Sequence, residues 1–353
     1  FKQKTAYEIM PSLVGSEMCI RDRHDFRLKD LCGRSFAVDA NNYLYQFLAL
    51  VRLRDGSLLT DSRGNVTSHL AGLVFRTTRL LCDYGINLVF VFDGEPPRLK
   101  MREIERRRQL RDKATREWLQ ALKSGDYATA FSKAVITSRL TSTMVEDAKH
   151  VLDLLGIPYV QAPSEAEAQA AYMAMKGDVW AASSKDYDSL LFGAPRLVRY
   201  LTITGREYLP SKGTFRKLNP ELISLKELLE KLGITREQLI DIAILIGTDF
   251  NEGIKGIGPK KALNLIRRYQ CLENLPEEIR QRLPSNVDEI RSIYLNPKVT
   301  SNYKLQYSGL KEKELYDFLC KQRNFSVQRV KTVVERMKKF YSLQKQAELE
   351  NWL

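Results

Sequence analysis

Leu88-Val89-Phe90-Val91-Phe92-Asp93 is a five-residue apolar run of β-branched and aromatic side chains that stops on a carboxylate. A run of this length and composition reads as a strand buried on both faces, of the kind that stands inside a parallel sheet. Three more runs repeat the arrangement. Ser35–Val38 ends at Asp39, Ile157–Val160 is followed by Glu165 and Glu167, and Val179–Ser183 by Asp186 and Asp188. Helical patterns separate these runs from residue 24 onward, which predicts an α/β fold with a largely parallel central sheet flanked by helices. Ligands of such sheets bind in the crevice beyond the carboxyl ends of the strands, so four segments deliver carboxylates to one working edge.

Each acidic site also has a local explanation. Ser164-Glu165-Ala166-Glu167 fits a helix capping box, Asp39 and Asp93 could cap the helices that follow them, and Asp186 and Asp188 could be turn formers. Jointly the pattern is harder to assign to caps, because Asp249 in Gly247-Thr248-Asp249-Phe250 adds another carboxylate. Ionised carboxylates crowded together raise one another's pKa, and a divalent cation is the usual way to keep them charged. Oxygen ligands without Cys or nearby His favour Mg²⁺, with Mn²⁺ as a substitute, over zinc. Two such ions about 4 Å apart are suited to hydrolysing a phosphodiester. Asp186 and Asp188, two apart, share a side if the chain there is extended. Glu165 and Glu167 would not share a side on a helix, so the site is expected to catch them at the helix entrance.

The 353 residues carry 56 Lys and Arg against 43 Asp and Glu, a net charge of +13 that favours a polyanionic partner. Five scattered cysteines, without a CxxC pair, indicate neither a disulfide framework nor a zinc site and fit a reducing, intracellular compartment. No apolar run is long enough for a membrane span. Residues 1–23, which include Tyr7-Glu8-Ile9-Met10-Pro11, resemble translated sequencing-adapter read-through; the alternative reading is a natural N-terminal extension.

Arg98–Asp147 exceeds a typical crossover and is mostly helical in composition. Its first part, Arg98–Arg116, holds nine basic residues. One reading is a solvated helix face with pairs such as Glu103–Arg107. In the other, Lys100, Arg107 and Arg111 recur on one side and form a cationic rail beside the acidic pit. Further on, a polar stretch around Pro210–Pro220 leads into helices beginning near Leu225 and Thr235. Gly253-Ile254-Lys255-Gly256-Ile257-Gly258-Pro259-Lys260-Lys261 then reads either as a structural turn or as a hairpin whose amides and lysines face a phosphate backbone. A second helical region reaches Tyr341 and the remainder is a tail. In that tail Gln346, Leu349 and Trp352 recur every three residues, which would stack them on a 3₁₀ turn.

At this point the chain resembles a known family. FAVDANNYLYQFL (36–48), VFVFDGEPPRLK (89–100), QAPSEAEAQAAYMA (161–174), SSKDYDSLLFGAPRLVR (183–199), GTDFNEGIKGIGPKKAL (247–263) and QAELENWL (346–353) are all similar to motifs of the flap endonucleases, closest to the archaeal branch. The resemblance covers residues 24–353 in order. It implies a PIN-like 5′-nuclease fold with a nuclease domain over 24–340, a helical arch over 98–145, a helix-two-turn-helix region over 235–275 and a clamp-binding tail over 341–353. It implies that Asp39, Asp93, Glu165, Glu167, Asp186, Asp188 and Asp249 are metal-site carboxylates, with Lys100 and Arg107 approaching the scissile phosphate. Tyr45, Arg52, Gly256, Gly258, Lys260 and Lys261 would contact DNA, with K⁺ at the helix-two-turn-helix. Gln346, Leu349, Trp352 and Leu353 would bind the replication sliding clamp (PCNA). The activity implied is Mg²⁺-dependent cleavage of branched DNA with a 5′ flap, together with 5′-3′ exonuclease action, by a monomer in Okazaki-fragment maturation and repair. Two other readings are a non-catalytic DNA-binding protein, whose mark would be lost carboxylates, and a small-molecule phosphatase, which has no use for the basic insertion. Family members begin with Met-Gly, whereas the likeness here starts near His24, so reduced activity is expected if residues 1–23 replace that start.

Overall fold

The computed structural model describes residues 24, 25, 27–53, 55–202, 205–209 and 214–350. Its strands are β1 (His24–Asp25), β2 (Ser35–Asp39), β3 (Asn87–Phe92), β4 (Tyr159–Gln161), β5 (Ala181–Ser183), β6 (Arg196–Arg199), β7 (Gly205–Leu209), β8 (Thr214–Leu218) and β9 (Glu221–Ser224). The helices that matter for the site are α1 (Ala40–Leu50), α2 (Ser68–Tyr84), α3 (Met101–Lys123), α4 (Tyr127–Ile136), α5 (Ser142–Leu155), α6 (Ala166–Lys176), α7 (Asp188–Leu191), α8 (Leu225–Leu232), α9 (Arg236–Ile246) and α10 (Pro259–Tyr269). Shorter helices lead to α11 (Val287–Leu295) and the C-terminal α12 (Val327–Glu350).

Seven strands form one sheet in the order β1-β9-β6-β5-β2-β3-β4. The five from β6 to β4 run parallel, while β9 and β1 add an antiparallel edge. The period-two alternation of a strand explains how the sheet holds two cores. Phe36, Val38, Leu88 and Phe90 face the side covered by α1, α2, α5 and α12. Ala37, Val89 and Val91 face the side covered by α6, α9 and α10. The central strands are therefore apolar throughout, as the sequence pattern predicted.

Several local expectations change. The third predicted strand moves from Ile157–Val160 to Tyr159–Gln161, because Gly156 adopts the left-handed conformation that ends α5 and the chain needs two residues to return to the sheet. The chain after β5 is not extended: it bends over Ser184–Tyr187, and Asp188 opens α7. Asp186 and Asp188 thus do not share a side by strand alternation. Part of the polar stretch at Pro210–Pro220 is strand, since β7 and β8 pair as a hairpin with Leu209 opposite Thr214. The C-terminal helix continues past Tyr341 to Glu350, so residues 346–350 are α-helical, and the rest of the expected 3₁₀ turn lies outside the described residues. Trp352, Leu353 and residues 1–23 lie outside the described residues.

α3 and α4 fold back on each other over the turn Ser124–Asp126, with Lys133 Nζ 2.5 Å from Glu117 and an ion pair between Arg139 and Asp112. Below this hairpin, Gly94 lets the end of β3 lie against the entrance of α6. Its amide donates to Ser164 O at 2.6 Å, and a Cβ at Gly94 would stand 2.2 Å from Ala162 O. Backbone atoms cannot yield as a side chain would. Gly94→Ala is therefore expected to lower unfolding stability by about 1–3 kcal/mol, the usual cost of overpacking. Thermal or urea unfolding would measure this, and an unchanged midpoint would contradict the close approach.

A carboxylate cleft at the carboxyl edge of the sheet

α1 starts directly at the end of β2, and Asp39 is its N-cap, accepting a bond from Asn42 N at 3.0 Å. The local capping role and a place in the cleft are thus held by the same residue. Two side chains of the first turn of α1, Asn41 and Asn42, reach across the edge. Asn41 Nδ2 donates to Asp93 Oδ2 at 2.8 Å, and Asn42 Nδ2 donates to Asp186 Oδ2 at 2.5 Å, with Gln46 Nε2 donating in turn to Asn42 Oδ1. Asp93 Oδ1 accepts from Ala166 N at 2.8 Å, so the first turn of α6 is capped from a different strand.

That contact displaces the capping box expected for Ser164–Glu167. The N-cap is Glu165, in extended conformation with φ −72° and ψ 129°, and its side chain caps nothing. Ser164 Oγ instead donates to Glu95 O at 3.0 Å, and Glu167 accepts from Ser184 Oγ at 2.9 Å. Glu165 therefore leaves the helix as expected, while Glu167 stays within its first turn.

Two cations of the basic insertion enter the cleft. Lys100 Nζ is paired with Glu165 and lies 3.4 Å from Asp249 Oδ2, and Arg107 Nη2 lies 2.6 Å from Asp249 Oδ1. The expected Glu103–Arg107 pair is present as well, at 2.7 Å. Arg111, one turn further along α3, places its guanidinium 5.1 Å from the centre of the Tyr45 ring, within cation–π range. Asp39, Asp93, Glu165, Glu167, Asp186, Asp188 and Asp249 line one cleft of about 120 Å³ together with Lys100, Arg107 and Tyr45.

Burial and mutual repulsion make this cleft reluctant to carry its full negative charge. Asp186 is pushed up to about 6, mainly by burial, and Asp188 to about 8, by burial and then by Asp249 and Asp186. Asp39 and Glu167 rise well above the ordinary carboxylate range for the same reasons, led by burial. Burial lowers the affinity of Lys100 for its proton, but Glu165 and Asp249 outweigh it and hold the ammonium charged. Among the described residues no three acidic, thiol or imidazole side chains converge closely enough to form a ready coordination shell. Lys100 and Arg107 stand among these carboxylates instead.

The other sequence-predicted residues are spread over the molecule. Arg52 is turned inward: Nε, Nη1 and Nη2 donate to Leu48 O at 2.8 Å, Gly56 O at 2.6 Å and Ser138 Oγ at 2.8 Å. Three bonded nitrogens in a half-buried setting make it a brace for the loop before α2. Gly256, with φ +87°, and Gly258, the N-cap of α10, shape the turn between α9 and α10, and Lys260 and Lys261 lie on the first turn of α10. Gln346 is exposed near the end of α12, and nothing is described for the side chain of Leu349. Sequence reasoning missed Asn41, Asn42 and Ser184. The consecutive asparagines Asn41 and Asn42, which follow Asp39 after Ala40, were the available signal, since amides at a helix start can bond carboxylates at neighbouring strand ends.

A parallel sheet whose carboxyl edge gathers acidic side chains under a cationic helix defines a nuclease, a hydrolase of nucleic-acid phosphodiesters. Residues 14–114 match the XPG N-terminal domain and residues 156–249 the XPG I-region. The chain is 50% identical to Flap endonuclease 1 of Pyrococcus furiosus, over 94% of this chain and 96% of that one. It is 48% identical to Flap endonuclease 1 of Staphylothermus marinus, over 92% and 94%. The solved flap endonuclease-1 of Methanococcus jannaschii superposes with a TM-score of 0.72 at 43% identity, covering 91% of this chain and 97% of that one. The catalytic core of Rad2, solved with a DNA substrate, shares the fold at 24% identity and a TM-score of 0.65, over 89% and 96%. This chain belongs to the flap endonuclease 1 family, in its archaeal branch.

Because folding raises the pKa of these buried carboxylates, they contribute stability that is complete below the ordinary carboxylate range and is lost as pH rises through about 6 and then about 8. Melting in EDTA should therefore show a midpoint that falls over that interval. Asp188→Asn should flatten the upper part of the fall and raise the midpoint at the alkaline end by roughly 2–6 °C. A wild-type midpoint that rises over the same interval would show that the carboxylates are not crowded as described.

Proposed function

We propose that this structure-specific 5′ flap endonuclease hydrolyses DNA with two Mg²⁺ ions, replaceable by Mn²⁺, held by Asp39, Asp93, Glu165, Glu167, Asp186, Asp188 and Asp249. The observation that carries the reading is the convergence of these seven side chains, from four strand ends and the turn after α9, on one cleft beside Lys100 and Arg107. The donor set fits such ions: it is all oxygen, buried, and so short of positive charge that two aspartates hold protons up to about 6 and about 8. Lys100, between Glu165 and Asp249, already places one cation where these carboxylates call for charge. When bound, the ions would neutralise the phosphate, acidify the attacking water and stabilise the leaving oxygen.

The remaining work falls to the chain itself. Lys100 and Arg107 exchange their carboxylate partners for the scissile phosphate and stabilise the charge that develops on it. Tyr45, at the lip of the cleft, offers a ring on which the base at the cleavage point stacks once Arg111 gives way. The hairpin of α3 and α4, within 98–145, forms the arch for the single-stranded 5′ flap, and residues 24–340 form the nuclease domain. The turn 253–258 with Lys260 and Lys261, within the helix-two-turn-helix region 235–275, holds the downstream duplex backbone, aided by K⁺. Residues 341–353, through Gln346, Leu349, Trp352 and Leu353, bind the replication sliding clamp. The products are a 5′-phosphate and a 3′-hydroxyl, with accompanying 5′-3′ exonuclease action, in Okazaki-fragment maturation and repair.

Cleavage of a labelled double-flap DNA tests this reading. Cutting at the junction should require Mg²⁺, stop in EDTA and fall by roughly 10²-fold or more in Asp188→Ala, with flap DNA still bound. Equal loss of binding and cleavage in that variant would remove the metal-site assignment. Deleting 346–353 should abolish stimulation by the clamp and spare basal cleavage; unchanged stimulation would show that the clamp binds elsewhere.

A further inference from the structure

Arg199, at the end of β6, keeps only 6% of its surface exposed. A buried guanidinium is costly unless its donors and charge are met, and here they are. Nε donates to Lys185 O at 2.8 Å. Nη1 donates to Tyr187 Oη at 2.5 Å and to Glu221 Oε2 at 2.9 Å, and Nη2 donates to Tyr200 Oη at 2.8 Å. The rings of Tyr187 and Tyr200 flank the group, with centroids 4.1 and 4.6 Å from Cζ.

Two of these partners, Lys185 and Tyr187, bracket Asp186, and Asp188 follows at once. The stretch Ser184–Tyr187 has no strand ladder of its own, so side chains must hold it. On the cleft side, Asn42 bonds the Asp186 carboxylate and Ser184 Oγ accepts from Asp186 N at 3.1 Å. Arg199 grips the same loop from behind and ties it to Glu221 on the antiparallel strand β9. We propose that Arg199 is the positioning residue for the Asp186–Asp188 pair: by bonding Lys185 O and Tyr187 Oη it sets how far apart and in which direction the two carboxylates enter the cleft. Arg199 acts through the loop and not on the reacting atoms. Only a planar fork of five donors can serve these directions at once; an ammonium would keep the charge and lose the geometry. The inference rests on the proposal that these carboxylates hold divalent ions.

The test is Mn²⁺ binding to the full chain, by calorimetry or electron paramagnetic resonance, for the wild type, Arg199→Lys, Arg199→Gln and Tyr187→Phe. Thermal unfolding and kcat and KM on double-flap DNA accompany it. Arg199→Gln is expected to weaken Mn²⁺ binding about 10–100-fold, the usual effect of losing a group that orients metal ligands. It should lower kcat most when Mn²⁺ is limiting and leave KM for DNA within about twofold, because the DNA-contacting surface is untouched. Arg199→Lys should fall between it and the wild type. A folded Arg199→Gln with wild-type Mn²⁺ affinity, or with a lowered melting point as its only change, would overturn the proposal by reducing Arg199 to a structural brace. If Arg199→Gln does not fold, Tyr187→Phe decides, since it removes one bonding oxygen and keeps the ring; unchanged Mn²⁺ affinity there overturns the proposal and weakened affinity supports it. A wild type that binds no Mn²⁺ would overturn the metal reading itself, and is thereby told apart from variants that match a metal-binding wild type.

Discussion

Seven carboxylates share one small cleft at the end of a buried sheet, and their mutual repulsion is the constraint around which the molecule is arranged. Two like charges 5 Å apart cost about 3 kcal/mol even at an effective dielectric near 20, so a fully ionised cleft cannot persist without compensation. The protein compensates in three ways: some carboxylates hold protons, Lys100 and Arg107 come down from α3 to pair with Glu165 and Asp249, and amide or hydroxyl donors bond the rest. The two cations that relieve the repulsion are also the groups that a phosphate would draw toward itself, so charge balance and substrate approach are coupled.

The scaffold supplies these donors with little specialised structure. Asp39 and Asp93 both cap helices, which uses one carboxylate oxygen to order a helix start and leaves the other side of the group toward the cleft. Asn41 binds Asp93 just beyond β3 and Asn42 binds Asp186 in the loop after β5, so the first turn of α1 joins β2, β3 and that loop. Further from the cleft, Arg323 binds Asp147 at 2.8 Å and Asp61 at 3.5 Å, and Ser62 binds Asn324, so the approach to α12 is fastened to α5 and to the loop before α2.

Much of this was readable from local pattern. The apolar runs ending in acids carried the parallel sheet and its working edge, because a strand buried on both faces can be recognised without knowing its neighbours. The seven acidic residues, the basic helix and the glycine turn were all found this way. Boundaries were less legible: Gly156 moved β4 by two residues, and the bend at Ser184–Tyr187 replaced a presumed extended segment, since both depend on how the chain returns to the sheet.

By itself the sequence determined the fold class, the identity of the acidic cluster and the family, because strand periodicity, residue chemistry and order along the chain are local properties. Only the tertiary structure decided that Asp93 caps α6 in place of Ser164, that Arg52 braces a loop, that Arg111 covers Tyr45 and that Arg199 grips the Asp186–Asp188 loop. Each of those outcomes pairs groups from separate segments, and a side chain with several possible partners takes the one that packing brings within about 3 Å.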